Sequence, residues 1–212
     1  MKQALLLLVA LSLSGCGFFK LNTPRVKPEP PKIDVVARAV NNTVSLSDKD
    51  GVFCSGVAAE GVVFTAHHCI DGEESFVVNY RGTAYRPVVA LDWIEEDLAV
   101  LQLVGKRLRD TIPLSPEAPV LGQKVIWLGY PLGVQLIMGI GIVGNPLDDT
   151  GSMAVYGQFI PGNSGGPVLD ETGKLLGIVV RTMALPGIPF PQYLPVGYAV
   201  HWEHLNTALD AL

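Results

Sequence analysis

The chain has 212 residues, of which 20 are acidic and 15 are basic, giving a formal net charge of −5 at pH 7. Hydrophobic residues make up 49% of it, which suffices for one sizeable core or for two small, closely packed barrels. This balance excludes a basic nucleic-acid-binding face, and neither a phosphate-cradling loop nor a metal-ligand cluster is evident, so no cofactor and no metal are implied.

The N-terminal region predicts export and tethering. Residues 1–15 join a positive start at Lys2 to an apolar stretch too short to span a bilayer, which indicates a secretory signal. The run Leu13–Cys16 resembles the lipobox of bacterial lipoproteins, and this resemblance implies cleavage before Cys16 and a diacylglycerol on its sulfur. A plain signal peptide that happens to contain a cysteine is the alternative. Residues 16–32 are rich in proline and charge, which favours an extended tether.

Residues 33–212 have the rhythm of an all-β domain, because β-branched and apolar runs recur between glycine and proline. The predicted strands are 51–57, 62–69, 75–80, 85–91, 98–104, 124–128, 137–143, 153–159, 166–170, 175–180 and 198–200. Residues 202–212 repeat apolar positions at helical spacing and predict a short C-terminal helix. That helix is a better interpretation than a metal-ligand pair formed by His201 and His204.

A serine between glycines is the most informative motif of the chain. Ser164 lies in the run Pro161–Pro167, with Gly162 and Gly165 on either side. Glycine permits positive φ and leaves room for a substrate to approach. The backbone N–H groups of Gly162 and Ser164 are expected to point together at a developing oxyanion. An ordinary turn is the alternative interpretation of this motif alone.

Two apolar segments supply the partners that a serine nucleophile needs. The run 62–69 contains His67 and His68 just before a cysteine, and Asp97 stands at the head of the run 98–103. A histidine can take the hydroxyl proton, and a carboxylate can fix its tautomer and stabilise the imidazolium. All three groups occur, in the order His, Asp, Ser.

These segments resemble the trypsin-like serine proteases, most closely the bacterial HtrA/Deg-like branch. The resemblance rests on the runs 65–69, 97–101 and 162–167, supported by 129–133, 173–179 and 197–200. It implies two six-stranded Greek-key β-barrels, with a boundary near 105–120 and the active site in the cleft between them. His68 and Asp97 would come from the first barrel, and Ser164 from the second.

The resemblance also implies the roles of the two histidines and two of the cysteines. The catalytic histidine is His68, immediately before the cysteine, while His67 stands where the family usually has a small residue. Adjacent side chains diverge, so we expect His67 to be packed and hydrogen-bonded to backbone. With Cys16 acylated, Cys54 and Cys69 remain to form a disulfide beside His68 in an exported compartment.

Substrate recognition is predicted from position relative to the serine. Gln158 is expected at the base of the primary pocket, with Val180, Arg181 and Thr182 along one wall. No carboxylate stands at that base, so we expect medium apolar side chains to be accepted rather than Lys or Arg.

The predicted function is a serine endopeptidase that cleaves proteins or peptides through an acyl-enzyme. A lipid on Cys16 would tether it to a bacterial membrane. In a Gram-negative cell this would be the outer membrane, facing the periplasm, because Gly17 is not the aspartate associated with inner-membrane retention. The chain ends at Leu212, so no PDZ domain is expected. A catalytically silent binding lipoprotein and an esterase that uses the same triad are the alternatives.

Overall fold

The structure is a computed structural model that describes residues 34–73, 75–187 and 191–212. The predicted signal segment at 1–15, the lipidation site Cys16 and the tether at 16–32 lie outside these ranges. Among the helices of the described part, none has both the length and the hydropathy needed to cross a membrane.

The described chain folds mainly into antiparallel strands. Two helices flank them: α1 (Val35–Asn42) and α2 (Trp202–Asp210). The first seven strands are β1 (Thr43–Ser47), β2 (Val52–Ala59), β3 (Val62–Thr65), β4 (Val77–Tyr80), β5 (Thr83–Tyr85), β6 (Pro87–Trp93) and β7 (Leu98–Leu103). The last six strands are β8 (Lys124–Gly129), β9 (Ile137–Asn145), β10 (Ser152–Tyr156), β11 (Pro167–Asp170), β12 (Leu175–Leu185) and β13 (Gln192–His201).

The first seven strands form one sheet in the order β5-β4-β1-β2-β3-β7-β6. Its two edges, β5 and β6, are consecutive in the chain and separated by Arg86 alone. Tyr85 pairs with β4 at one edge, while Pro87 pairs with β7 at the other. The sheet therefore curls until its edges meet. The single strand predicted at 85–91 is divided, so that Tyr85 belongs to one edge and residues from Pro87 onward to the other.

The last six strands form a closed barrel in the order β10-β13-β12-β11-β8-β9. Residues 104–123 connect it to the first sheet and pair with both sides, through bridges from Ile112 to Ala59 and from Leu114 to Leu175. All six strand pairs of the barrel are antiparallel.

Three buried apolar clusters stabilise this arrangement. One fills the first barrel, another fills the second, and the third contains residues of both sheets, such as Phe64, Leu98, Leu128 and Ile178. Leu205 of α2 also belongs to the third cluster. Because these side chains are fully buried between the sheets, the two barrels are held as one body, and loops from both can contribute to one site.

The all-β prediction with a short C-terminal helix is confirmed, and the structure adds elements that the strand pattern did not indicate. Helix α1 begins after Asp34, whose Oδ1 accepts hydrogen bonds from the N–H groups of Val36 and Ala37 at 3.0 and 3.2 Å. Strand β13 is much longer than the predicted 198–200. Pro195 and Gly197 have poor strand propensity, but the strand forms because it pairs with β10 on one side and with β12 on the other.

Candidate active site

His68 and Asp97 meet at the end of the first barrel. His68 lies on a short 3-10 turn, His67–Cys69, which follows β3, and Asp97 precedes β7, the neighbour of β3. The His68 ring Nδ1 lies 2.8 Å from Asp97 Oδ2, and the His68 backbone N–H donates to Asp97 Oδ1 at 2.9 Å. The carboxylate thus accepts from both ring and backbone, which fixes the imidazole with Nδ1 protonated and Nε2 free to act as a base.

Asp97 has an unusual backbone conformation, with φ at 53°. Its N–H donates to the carbonyl of Ile94 at 3.2 Å, closing the turn between β6 and β7. The left-handed region is costly for most residues but tolerated by aspartate and asparagine. The turn therefore aims the carboxylate at His68 with little local strain.

His67 makes a second histidine–aspartate pair. Its Nδ1 lies 2.6 Å from Asp92 Oδ1, and its side chain is only 14% exposed. The partner of His67 is thus a carboxylate, and the expectation of a backbone hydrogen bond is wrong. Asp92 lies on β6 and pairs with Ala99 of β7, which in turn pairs with Thr65 at the end of β3, so strand pairing brings this carboxylate beside the turn.

A disulfide joins Cys54 to Cys69, as the sequence analysis predicted. A ring nitrogen of His68 and the two sulfurs lie within 4.8 Å of one another. Since the sulfurs are bonded to each other, they are not free thiolates and this cluster is no metal site. Cys69 Sγ is also 3.8 Å from the carbonyl oxygen of Ser164, so His68 is the histidine on the serine's side.

Ser164 lies on a loop between β10 and β11, facing the first barrel. It is partly exposed, whereas Gly162, Asn163 and Gly165 are buried. Gly162 and Gly165 have φ values of 96° and 81°. A Cβ at Gly165 would overlap the carbonyl oxygen of Ser55, so only glycine lets the loop approach β2 this closely. Within the described residues, no hydrogen bond joins the Ser164 hydroxyl to the imidazole of His68.

Hydrogen bonds fix every carbonyl of this loop from Pro161 to Ser164. The carbonyls of Pro161 and Asn163 accept from the N–H groups of Leu132 and Gly166 at 2.8 and 2.9 Å. Those of Gly162 and Ser164 accept from the side-chain hydroxyl and the backbone N–H of Ser55 at 2.6 and 2.8 Å.

The N–H groups of the same loop alternate between paired and free. Those of Asn163 and Gly165 donate to backbone carbonyls at 3.2 and 2.6 Å. Those of Gly162 and Ser164 have no hydrogen-bond partner among the described residues. In a trans peptide the carbonyl and the N–H point in opposite directions, so anchoring the carbonyls of Pro161 and Asn163 turns both free N–H groups the other way. The loop therefore leaves two backbone donors unpaired next to Ser164.

Asn163 is buried next to these donors, with 1% of its surface exposed. Its side-chain oxygen and nitrogen have no partner in the described part of the chain. An aspartate here would be a buried charge without a counterion, which costs far more than a neutral amide.

The four predicted pocket residues differ in their exposure. Gln158 is exposed, Val180 and Thr182 are half-buried, and the guanidinium of the exposed Arg181 lies 4.5 Å from the ring centre of Tyr198. Their assignment remains a prediction.

Phe159 belongs to the buried apolar cluster of the second barrel and directly follows the predicted pocket residue Gln158. It is 1% exposed, its ring centre is 5.0 Å from that of Trp127, and a Cβ at Gly197 would overlap it. Thr182 Oγ1 donates to the carbonyl of Phe159 at 2.9 Å. Gln158 and Phe159 lie beyond the end of β10, so strand alternation does not account for the inward position of Phe159.

A cavity of about 280 Å³ lies beside Asp97. Its lining includes Val180, Arg181, Glu95, Glu96 and His204 but neither Ser164 nor His68. His204 Nδ1 lies 3.8 Å from a carboxylate oxygen of Glu96.

His201 is buried at the end of β13. Burial lowers the pKa of His201, the nearby carboxylate of Glu203 opposes this, and His204 adds to the lowering. His201 is therefore a buried imidazole with a lowered pKa, whereas His204 lies on α2 near Glu96, where both line the cavity.

The sequence matches the family described as Trypsin-like peptidase domain over residues 50–178, more than half of the chain. The chain belongs to this family. It is 27% identical over 204 residues to a probable periplasmic serine endoprotease DegP-like of Chlamydia muridarum, covering 92% of this chain and 37% of that protein. It is 32% identical over 169 residues to the chloroplastic Protease Do-like 1 of Arabidopsis thaliana, covering 72% of this chain and 37% of that protein.

The fold resembles that of a serine endoprotease from Yersinia pestis, with a TM-score of 0.71 and 22% identity over 83% of this chain and 64% of that one. This likeness confirms the trypsin-like fold. The chain spans little more than a third of the length of the curated relatives it matches.

Proposed function

We propose that this chain is a serine endopeptidase in which Ser164 is the nucleophile, His68 the general base and Asp97 the residue that orients it. The observation that carries the proposal is the loop at 161–166, where the N–H groups of Gly162 and Ser164 are unpaired among the described residues while each carbonyl from 161 to 164 is anchored. A loop built in this way stabilises negative charge on a carbonyl oxygen.

The reaction begins when the peptide substrate brings its carbonyl carbon to the Ser164 hydroxyl. His68 Nε2 takes the hydroxyl proton as Ser164 Oγ bonds to the carbon, and the imidazolium is stabilised by Asp97, whose carboxylate lies 2.8 Å from Nδ1. The oxyanion is bound by the N–H groups of Gly162 and Ser164. His68 then gives its proton to the leaving amine. In the second half, His68 takes a proton from water, which attacks the acyl-enzyme and frees Ser164.

The distance between Ser164 Oγ and His68 Nε2 is expected to shorten when substrate binds, because catalytic hydrogen bonds often tighten only in the substrate complex. The disulfide supports this geometry, since Cys69 follows His68 in the chain and contacts the carbonyl of Ser164.

Protein substrates and an envelope location are part of the same proposal. The DegP-like relatives are named as periplasmic endoproteases, and the N-terminal pattern ending at Cys16 would export and lipidate this chain. We expect Cys16→Ser to abolish metabolic incorporation of a radiolabelled fatty acid and to release the protein from membranes. Unchanged labelling in that variant would overturn the lipid anchor without touching the protease proposal.

The test of the activity uses the full-length protein, purified in detergent, with casein as substrate. Ser164→Ala is expected to abolish cleavage while leaving the melting temperature within a few degrees of the parent, because Ser164 is partly exposed and its hydroxyl has no hydrogen-bond partner among the described residues. Equal cleavage by parent and variant would overturn the proposal. Hydrolysis of p-nitrophenyl acetate without cleavage of casein would favour the esterase.

A further inference from the structure

Ser55 lies on β2 in the first barrel and is fully buried. Its N–H donates to the carbonyl of Ser164 at 2.8 Å, and its Oγ donates to the carbonyl of Gly162 at 2.6 Å. The same Oγ accepts from the N–H of Tyr130 at 2.9 Å, and its carbonyl accepts from Thr65 Oγ1 at 2.8 Å. One residue of the first barrel thus anchors two of the four fixed carbonyls in the serine loop of the second.

We propose that Ser55 is a positioning residue for the oxyanion-binding loop, and that its hydroxyl holds the carbonyl of Gly162 so that the N–H groups of Gly162 and Ser164 stay aimed at the reacting oxygen. This inference rests on the proposed function.

Gly162 makes an external restraint necessary. A Cβ at this position would overlap the carbonyl oxygen of Tyr130, so glycine is required there, and φ is 96°. Glycine has the widest choice of backbone conformations, so nothing in the residue itself holds this geometry. The restraint must come from its neighbours.

The peptide between Gly162 and Asn163 lies between the two peptides that carry the free N–H groups. Each peptide unit is planar and turns as one body, so a rotation of this middle peptide redirects its neighbours. Its N–H is held by the carbonyl of Ile160 at 3.2 Å, and its carbonyl by the Ser55 hydroxyl at 2.6 Å. Without the hydroxyl, the carbonyl would be a buried acceptor with no partner, which favours rotation of the peptide.

The hydroxyl also ties the loop to a second segment. Tyr130, whose N–H donates to Ser55 Oγ, begins the turn in which the N–H of Leu132 donates to the carbonyl of Pro161 at 2.8 Å. That bond orients the N–H of Gly162. Ser55 therefore acts on this donor twice, through Gly162 itself and through the turn that holds Pro161.

Ser115 provides a matched control. It is also buried, at 4% exposure, and its Oγ donates to the carbonyl of Glu117 at 2.9 Å and accepts from the N–H of Glu117 at 3.3 Å. Ser115→Ala removes a buried hydroxyl with the same pattern of bonds, but in the connection between the barrels and away from the serine loop.

The experiment measures kcat and KM of the full-length protein with a fluorogenic peptide, together with melting temperatures. We expect Ser55→Ala to lower kcat about 10- to 100-fold with KM changed less than about 3-fold, since loss of a whole oxyanion donor costs about 10²- to 10³-fold. Ser115→Ala should lower the melting temperature about as much as Ser55→Ala does and should leave kcat unchanged. Ser55→Thr keeps the hydroxyl and should restore most of kcat.

Three results would overturn the inference: a kcat in folded Ser55→Ala equal to that of the parent, an equal loss of kcat in Ser115→Ala, or a Ser55→Thr variant as slow as Ser55→Ala. If Ser55→Ala does not fold at the assay temperature, Ser55→Gly, which removes the hydroxyl without a methyl group, is measured against the same criteria. A parent no more active than Ser164→Ala would overturn the proposed function and this inference together, whereas an active parent with an equally active Ser55→Ala overturns the role of Ser55 alone.

Discussion

The Cys54–Cys69 disulfide is expected to stabilise both the fold and the turn His67–Cys69, which carries His68. The cysteines are 15 residues apart in the chain, and the double variant Cys54→Ala/Cys69→Ala opens the loop that they close. A loop of about 15 residues corresponds to about 3 kcal/mol of unfolding free energy in the chain-entropy treatment. For a domain of this size, 1 kcal/mol shifts the melting temperature by about 2–4 °C, so we expect a decrease of about 6–12 °C.

Scanning calorimetry of the parent and the double variant measures this shift. The parent treated with reductant is the control, because it loses the cross-link but keeps both buried sulfurs. We also expect kcat to fall in the variant, since Cys69 directly follows His68 on its turn. If the double variant has an unchanged kcat and a melting temperature within about 2 °C of the parent, the disulfide does not hold this turn.

Substitutions at Asp97, at the two histidines of the turn and at His201 test three further expectations. Asp97→Asn should lower kcat about 10⁴-fold, as the corresponding change does in other serine proteases. Its melting temperature should stay close to that of the parent, because asparagine tolerates the same positive φ. A kcat within 10-fold of the parent would contradict the role of Asp97. His67→Asn should lower kcat less than about 10-fold, because His67 pairs with Asp92 and only braces the turn, whereas His68→Ala should abolish turnover; the reverse order would identify His67 as the base. His201 has a pKa below its ordinary value because it is buried, so the folded state binds its proton less readily than the unfolded state does. The free energy of unfolding should therefore fall as the pH drops below about 6.5. Denaturant titrations at pH 5 and pH 8 should show a smaller pH effect on stability in His201→Gln than in the parent, and equal effects would contradict this.

The local requirements of the chemistry were visible in the sequence. Ser164 needs glycines beside it because the loop adopts positive φ at 162 and 165, and few other residues can do so. The placement of His68 after an apolar strand, and of Asp97 before another, also depends on short stretches of chain. The family resemblance that these motifs carry implied the trypsin-like fold, and the family match and the fold likeness confirm it.

The partners of these residues could not be predicted, because they come from distant strands. Asp92 is an ordinary acidic residue in the sequence, and it reaches His67 only because β6, β7 and β3 pair in one register. Ser55 looks like any serine on a strand, and its role depends on the docking of the second barrel against β2. Phe159 lies beyond the end of β10, so no strand pattern indicates that it points inward while Gln158 is exposed.

The most direct test of the nucleophile is the site of covalent labelling. The full-length protein and its Ser164→Ala variant are treated with a fluorophosphonate, digested, and analysed by mass spectrometry. We expect one phosphonylated serine, Ser164, in the parent and no adduct in the variant. An unlabelled parent, or an adduct on another residue that persists in the variant, would contradict it.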